Sequence, residues 1–283
     1  MKISIIHNLY HLNPHVKETV TLNIKALNTA GVDYEYILFN DNGDHEIYND
    51  IKSILDLNNP RIMYIYSDIN YGKKVCTGGW VGALEYVTGD LIQNIGQDDV
   101  MSDIYYTRCL KYFELDPDLN LVFTNAFRVS DKLVLQELLM NPQYNPDYSK
   151  SIDRFKEWFG VNENGQIGVT RANNNMLASG VIYKKKLHKD IGIPDLNFGG
   201  ACDFEYWARI LFNNKKCKFI NEPLWLYRMS NYSSGNEIVD GKPNRGYWQQ
   251  LHIKEVQEKY TNLWEKRIMQ ENVIKDTIVN FTK

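Results

Sequence analysis

Two carboxylates stand side by side at the end of Leu91-Ile92-Gln93-Asn94-Ile95-Gly96-Gln97-Asp98-Asp99-Val100. Short apolar steps lead into them, so the run reads as a buried strand ending in a pair of acids at a sheet edge. Adjacent Asp side chains there suit a hard divalent cation. Mg²⁺ and Mn²⁺ prefer carboxylate oxygens and often take only one or two from protein, with substrate phosphates supplying the rest. The same two residues could equally open a loop or cap the next helix, and their spacing does not separate these readings. A further acid, Asp203, precedes the helical run Phe204-Glu205-Tyr206-Trp207-Ala208-Arg209-Ile210. Its position suits an N-cap, worth roughly 1 kcal/mol.

The elements that would position these groups alternate. Lys2 to Ile6 is a short β-rich run that stops at His7-Asn8-Leu9-Tyr10. Asn13-Pro14 looks like an N-cap followed by proline at the first helical position, and Val16, Val20, Ile24 and Leu27 follow at helical spacing up to Gly31. Tyr34 to Phe39 is a second strand, ending in the turn-forming Asn40-Asp41-Asn42-Gly43-Asp44. Ile47, Ile51, Ile54 and Leu55 mark a helix, and Arg61 to Tyr66 a strand ending at Ser67-Asp68. Asn70-Tyr71-Gly72 leads into a Gly-rich helix through Leu84 and Val87, and Gly89-Asp90 turns the chain into the acid-ended strand. Such alternation implies a mostly parallel, doubly wound sheet whose strand ends share one edge, where ligands bind. His7-Asn8, Asp41, Ser67-Asp68 and Asp98-Asp99 would all lie on that rim. Asp41 could grip a ribose or base while the acid pair holds a phosphate-bound metal.

Beyond Asp99, Asp103 should cap a helix through Leu115, and Leu121 to Phe127 should be a fifth strand. Arg128 to Arg171, with Pro142 and Pro146 and a short helix near Phe155 to Phe159, reads as a flexible loop over the site. Ser179 to Tyr183 reads as a strand after Asn173-Asn174-Asn175; Lys218 to Ile220 and Trp225 to Tyr227 read as two more. Tyr232-Ser233-Ser234-Gly235 is a polar loop. Tyr247 to Ile278 is a long amphipathic helical stretch that should pack on the body of the protein and offers a surface for homo-oligomer contact.

The 283 residues suffice for one large α/β domain or two small ones. Hydrophobic residues make up 43% and charged residues 24%, as in soluble globular proteins, and the net charge of -3 argues against wholesale nucleic-acid binding. Cys76, Cys109, Cys202 and Cys217 are scattered with no CxxC, which argues against a zinc site or a disulfide scaffold and for a reducing, cytoplasmic location. No apolar run approaches the roughly 20 residues that span a bilayer, so no integral membrane segment is expected.

From Lys2 to about Ser234 the order of motifs resembles the family 2 glycosyltransferases. His7-Asn8-Leu9-Tyr10 stands where that family has a Pro-Thr-Tyr-Asn-like turn. Asn40-Asp41-Asn42-Gly43 matches its Asp-Asp-Gly-Ser-like element, Asn70-Tyr71-Gly72 its Asn-x-Gly, and Thr88-Gly89-Asp90 its Thr-Gly-Glu. Gly96-Gln97-Asp98-Asp99 stands for Asp-x-Asp-Asp with the first Asp missing. Cys202-Asp203-Phe204-Glu205-Tyr206-Trp207-Ala208-Arg209 is similar to Glu-Asp-x-Asp-x-Trp-x-Arg, with Cys202 for the Glu. Tyr227-Arg228-Met229-Ser230 stands for Tyr-Arg-x-His without the His.

The resemblance implies a GT-A (Rossmann-like) α/β fold, a mostly parallel central sheet flanked by helices with a C-terminal helical extension. Residues 1–235 would form the transferase domain, 1–127 binding the nucleotide sugar and 128–235 the acceptor, with 236–283 the extension. It implies inverting, metal-dependent transfer of a single sugar (EC 2.4, hexosyltransferase type), from a UDP-sugar, to a glycan, lipid-linked or protein acceptor. His7, Asn8, Asp41, Asn70, Gly72 and Asp98 would bind the donor, Asp98 and Asp99 a Mn²⁺ or Mg²⁺ ion, and Asp203 would be the general base. Trp207 and Arg209 would be structural, though Trp207 could line the acceptor pocket. The processive-synthase motif Gln-x-x-Arg-Trp is absent. Gly96 and Ser230 also keep open a non-catalytic nucleotide- or glycan-binding protein on a decayed transferase scaffold. A nucleotidyltransferase ranks below both, since His7 to His15 has no glycine to wrap a triphosphate.

Overall fold

The computed structural model describes residues 1–57, 59–72, 78–139, 151–159, 161, 178–232 and 236–281. Much of the expected Arg128–Arg171 loop, Asn173-Asn174-Asn175, Ser233 to Gly235 and Cys76 lie outside these residues.

A mixed sheet forms the centre. Strands β1 (Lys2–Leu9), β2 (Asp33–Asn40), β3 (Ile62–Tyr66) and β4 (Leu91–Ile95) run parallel in the order β3-β2-β1-β4. The sheet continues through β8 (Val181–Lys184), β6 (Leu121–Val129), β9 (Cys217–Arg228) and β5 (Val100–Met101), with β7 (Leu135–Leu138) added to β6. Here β6–β9 is a long parallel ladder, and the short ladders β4–β8, β6–β8, β6–β7 and β5–β9 are antiparallel. The sheet is thus mostly parallel by ladder length.

Helices cover both faces, which is why the central strands are nearly continuous apolar runs. Ile5, Tyr36 and Leu38 join the core under α1 (Val16–Ala30), α2 (Glu46–Leu55) and α4 (Tyr105–Leu115). Ile6, Ile37 and Phe39 point the other way, into a core with α3 (Gly79–Gly82), α5 (Ser151–Trp158), α7 (Cys202–Phe212) and α8 (Gln249–Phe281). The short α6 (Leu187–Ile191) follows β8. Beyond β9, the hairpin of β10 (Ile238–Val239) and β11 (Lys242–Pro243) and a π-turn over Asn244–Trp248 lead into α8. That helix buries His252, Val256, Tyr260 and Trp264, one every four residues, so it packs on the body along a single stripe.

Three expectations need correction. Helix α1 starts at Val16, after a turn in which Asn13 Oδ1 accepts the His15 N–H at 2.9 Å. Asp103 does not cap α4; its carboxylate pairs with Lys25 at 2.9 Å. The two short strands near 218 and 225 are one strand, β9. Pro223 lacks an N–H, so the pairing shifts register there instead of ending, and Asn125 Nδ2 donates to Asn221 Oδ1 at 2.6 Å across the bulge.

Candidate active site

The sheet order puts the end of β1 between the ends of β2 and β4. On the β2 side, the buried Asp41 carboxylate accepts Tyr71 N–H at 2.8 Å and Gly72 N–H at 3.0 Å. Asp41 and the Asn70-Tyr71-Gly72 turn are therefore one unit, and Asn70 reaches the Tyr10 hydroxyl. Burial raises the Asp41 pKa in spite of the two N–H donors. Asn8 is also buried, its Nδ2 donating to Asn94 Oδ1 at 2.6 Å and Ile95 O at 3.0 Å.

His7 lies beneath the rim, fully buried. Nε2 faces Gln97 O at 3.2 Å, which can only accept, so the ring proton sits there and Nδ1 accepts from the Tyr36 hydroxyl at 2.7 Å. Burial lowers the imidazole to about 4 and keeps it neutral. Gln97 extends this support, taking Tyr10 N–H at 2.9 Å on Oε1 and donating Nε2 to His11 O.

The acid pair divides. Asp98 is half-buried and its Oδ2 accepts from Ser230 Oγ at 2.7 Å, so the serine that replaces the expected His holds this carboxylate directly. Asp99 turns inward: Oδ2 accepts from Ser179 Oγ and Oδ1 faces Arg228 N–H at 3.4 Å. Burial raises both carboxyls, and the charge of Asp98 raises Asp99 further. The missing first Asp has a steric counterpart, because a Cβ on Gly96 would stand 2.8 Å from Asp99 Oδ2. Behind the pair, the buried Arg228 donates to Asp98 O at 3.3 Å, Asp131 O at 2.7 Å, His15 Nδ1 at 2.7 Å and Glu18 Oε2 at 2.8 Å.

Among the described residues no three His, Cys, Asp or Glu side chains converge as a closed metal cage. Asp98 alone still fits a Mg²⁺- or Mn²⁺-type site, in which one protein carboxylate suffices when a diphosphate supplies the other oxygens. Asp99, facing Ser179, does not present itself as an equal second ligand.

Asp203 is not the N-cap of α7, a place taken by Ala201; it stands within the first turn, half-buried, with Oδ1 accepting Phe204 N–H at 2.7 Å. Burial lifts its carboxyl to about 6. The rest of its motif is architectural. Glu205, fully buried, binds Arg209, Lys259 Nζ at 2.6 Å and the Tyr260 hydroxyl at 3.1 Å, while Arg209 also donates to Ile191 O and Ile193 O. Trp207 is fully buried with its ring centroid 5.4 Å from that of Trp80 of α3, which packs α7 on α3 and leaves Trp207 no access to an acceptor. Sequence reasoning passed over Gln97, Ser179 and the contact made by Ser230. Of these, Ser230 was marked by its motif, and Ser179 carried no signal.

Solved structures of similar fold include S. aureus TarS 1–349 in complex with UDP (TM-score 0.54, 13% identity, covering 81% of this chain and 61% of that one). The same protein in complex with UDP-GlcNAc gives 0.56, 13%, 84% and 62%. Mannosyltransferase PcManGT from Pyrobaculum calidifontis, in complex with GDP-Man and Mn²⁺, gives 0.55, 10%, 82% and 58%. This is the GT-A fold, and the chain spans about three fifths of each of these structures. No curated protein matches the sequence. The model of Glycosyl transferase family 2 matches residues 13–175, more than half the chain. The chain belongs to that family.

Proposed function

We propose that this chain moves a single sugar, with inversion, from a UDP-sugar to an acceptor hydroxyl. The observation that carries the reading is the placement of Asp41 and Asp98 on strand ends that flank β1, in a chain of this family. Solved neighbours hold UDP, UDP-GlcNAc or GDP-Man, which supports a nucleotide-sugar donor.

In this reading Asp41, with Asn70 and Gly72, receives the base, and Asn8 lines the nucleotide. His7 supports that floor from below. Asp98, oriented by Ser230, holds the divalent ion, with Asp99 and Arg228 fixing the turn behind it. Mn²⁺ or Mg²⁺ held there would supply charge neutralisation to the diphosphate. The acceptor oxygen attacks the anomeric carbon while the bond from that carbon to the diphosphate oxygen breaks. The hydroxyl proton goes to Asp203, and UDP leaves. The acceptor is a glycan, a lipid-linked intermediate or a protein. The scattered cysteines, with no CxxC, support a reducing compartment, the cytoplasm, as the setting for the reaction.

The test is Asp203→Asn, assayed by UDP release from a panel of UDP-sugars. Turnover should fall by roughly 10²- to 10⁴-fold, with UDP affinity retained. Full turnover removes Asp203 from the role. Tight UDP binding with no turnover of any sugar nucleotide by the unmodified chain favours the non-catalytic scaffold.

A further inference from the structure

The turn that delivers Asp203 is held from the far end of the chain. Residues Leu196–Ala201 form a 3₁₀ turn in which Gly199 has φ 44 and ψ -123, a backbone state that a side chain strains. The space a side chain would need is filled by His252 of α8. A Cβ on Gly199 would lie 2.1 Å from His252 Cε1 and 2.4 Å from Nδ1. The next residue, Gly200, donates its N–H to His252 Nδ1 at 3.2 Å. His252 is 8% exposed and stacks on Trp248, whose indole N–H donates to Val239 O at 2.9 Å. Two turns further along α8, Lys259 Nζ sits 4.8 Å from the Phe198 ring centroid while binding Glu205. Phe198, Gly199 and Gly200 are thus gripped in succession just before Asp203. Neither partner of this contact lies in the stretch that matches the family model.

We infer that His252 is a positioning residue for Asp203, an inference that rests on reading Asp203 as the base. The ring fills the hollow over Gly199, and the Nδ1 lone pair fixes the Gly200 amide. Together they set how the chain enters α7 and so where the Asp203 carboxylate stands. Packing and hydrogen bonding are separable. A phenyl ring at 252 fills the hollow but gives Gly200 N–H no acceptor, whereas an Asn gives an acceptor with less bulk.

The experiment compares the full chain with H252F, H252N and D203N. It reads UDP release from UDP-N-acetylglucosamine with Mn²⁺ and hydrogen exchange over residues 196–204. H252F should lower kcat by roughly 10²-fold, the cost of a small misplacement of a catalytic group, and leave the donor KM nearly unchanged. The 196–204 amides should exchange faster, and H252N should restore most of both signals. Equal losses in H252F and H252N, or wild-type kcat in H252F, overturn the inference. Unchanged exchange in H252F overturns it even if this donor is not turned over. Full turnover in D203N ends the base reading and the inference with it. Loss in D203N without loss in H252F ends the inference alone.

Discussion

At Asp203, burial does two things at once. It lifts the carboxyl to about 6 from the ordinary 3.8, and so makes it a better proton acceptor near neutral pH. The acid limb of kcat/KM should therefore lie near pH 6, activity rising as the carboxyl ionises; a limb near pH 4 would contradict the assignment. His7 is held neutral at about 4 against 6.5 in the unfolded chain, and His188 is lowered in the same way. Between those values the unfolded chain takes protons that the folded chain refuses. Their contribution is complete above pH 6.5 and is lost as pH falls toward 4. Thermal unfolding followed from pH 7 downward should show this loss, and His7→Gln should flatten part of it. Glu35 adds a second acid step. Lys2, Ser4 and Thr88 hold it at about 2, so the stability it provides is lost as pH falls from 4.5 toward 2. Glu35→Gln should cost about 1.5–3 kcal/mol in urea denaturation at neutral pH, the range for hydrogen bonds to a charged group. The Thr88-Gly89-Asp90 motif thereby has a physical role: Thr88 N–H and Gly89 N–H both donate to Glu35.

Among the elements, α7 shows how far a motif can be read. Asp203, Glu205, Trp207 and Arg209 were visible together because they share one helix. The partners of Glu205 were not, since Lys259 and Tyr260 come from α8 more than fifty residues on. The same distance hid His252 behind Gly199-Gly200, and the positive φ of Gly199 together with the His252 ring over it explains why glycine stands there. Gly199→Ala should destabilise by roughly 1–3 kcal/mol, by strain at φ 44 and collision with His252, measured by thermal unfolding. Strands β1, β2 and β4 were legible as apolar runs bounded by turn residues. β9 was not, because Pro223 reads as a strand end while the neighbouring β6 carries the ladder past it.

For the whole molecule, strand–helix alternation was enough to foresee a mostly parallel sheet with polar groups on one rim, and that rim does join Asp41, Asn8 and Asp98 across β1. The antiparallel insertions of β5 and β8 were beyond reach, since the strands they pair with lie far along the chain and periodicity names no partner. The inward turn of Asp99 was equally hidden, because it depends on Ser179 and Arg228. Among the described residues no helix is long and apolar enough to cross a membrane. The proposed function requires this rim to bind a nucleoside diphosphate through Asp41 and an Asp98-held metal ion. The most direct measurement is thermal unfolding with UDP, GDP, CDP or dTDP, each with Mn²⁺ and with chelator. Ligand at about a hundred times its Kd stabilises by roughly 2.7 kcal/mol, a shift of several degrees for a chain of this size. Such a shift is expected with UDP and Mn²⁺, reduced by chelator and lost in Asp98→Asn. No shift with any nucleotide, or a UDP shift indifferent to both chelator and Asp98→Asn, would contradict the proposed function.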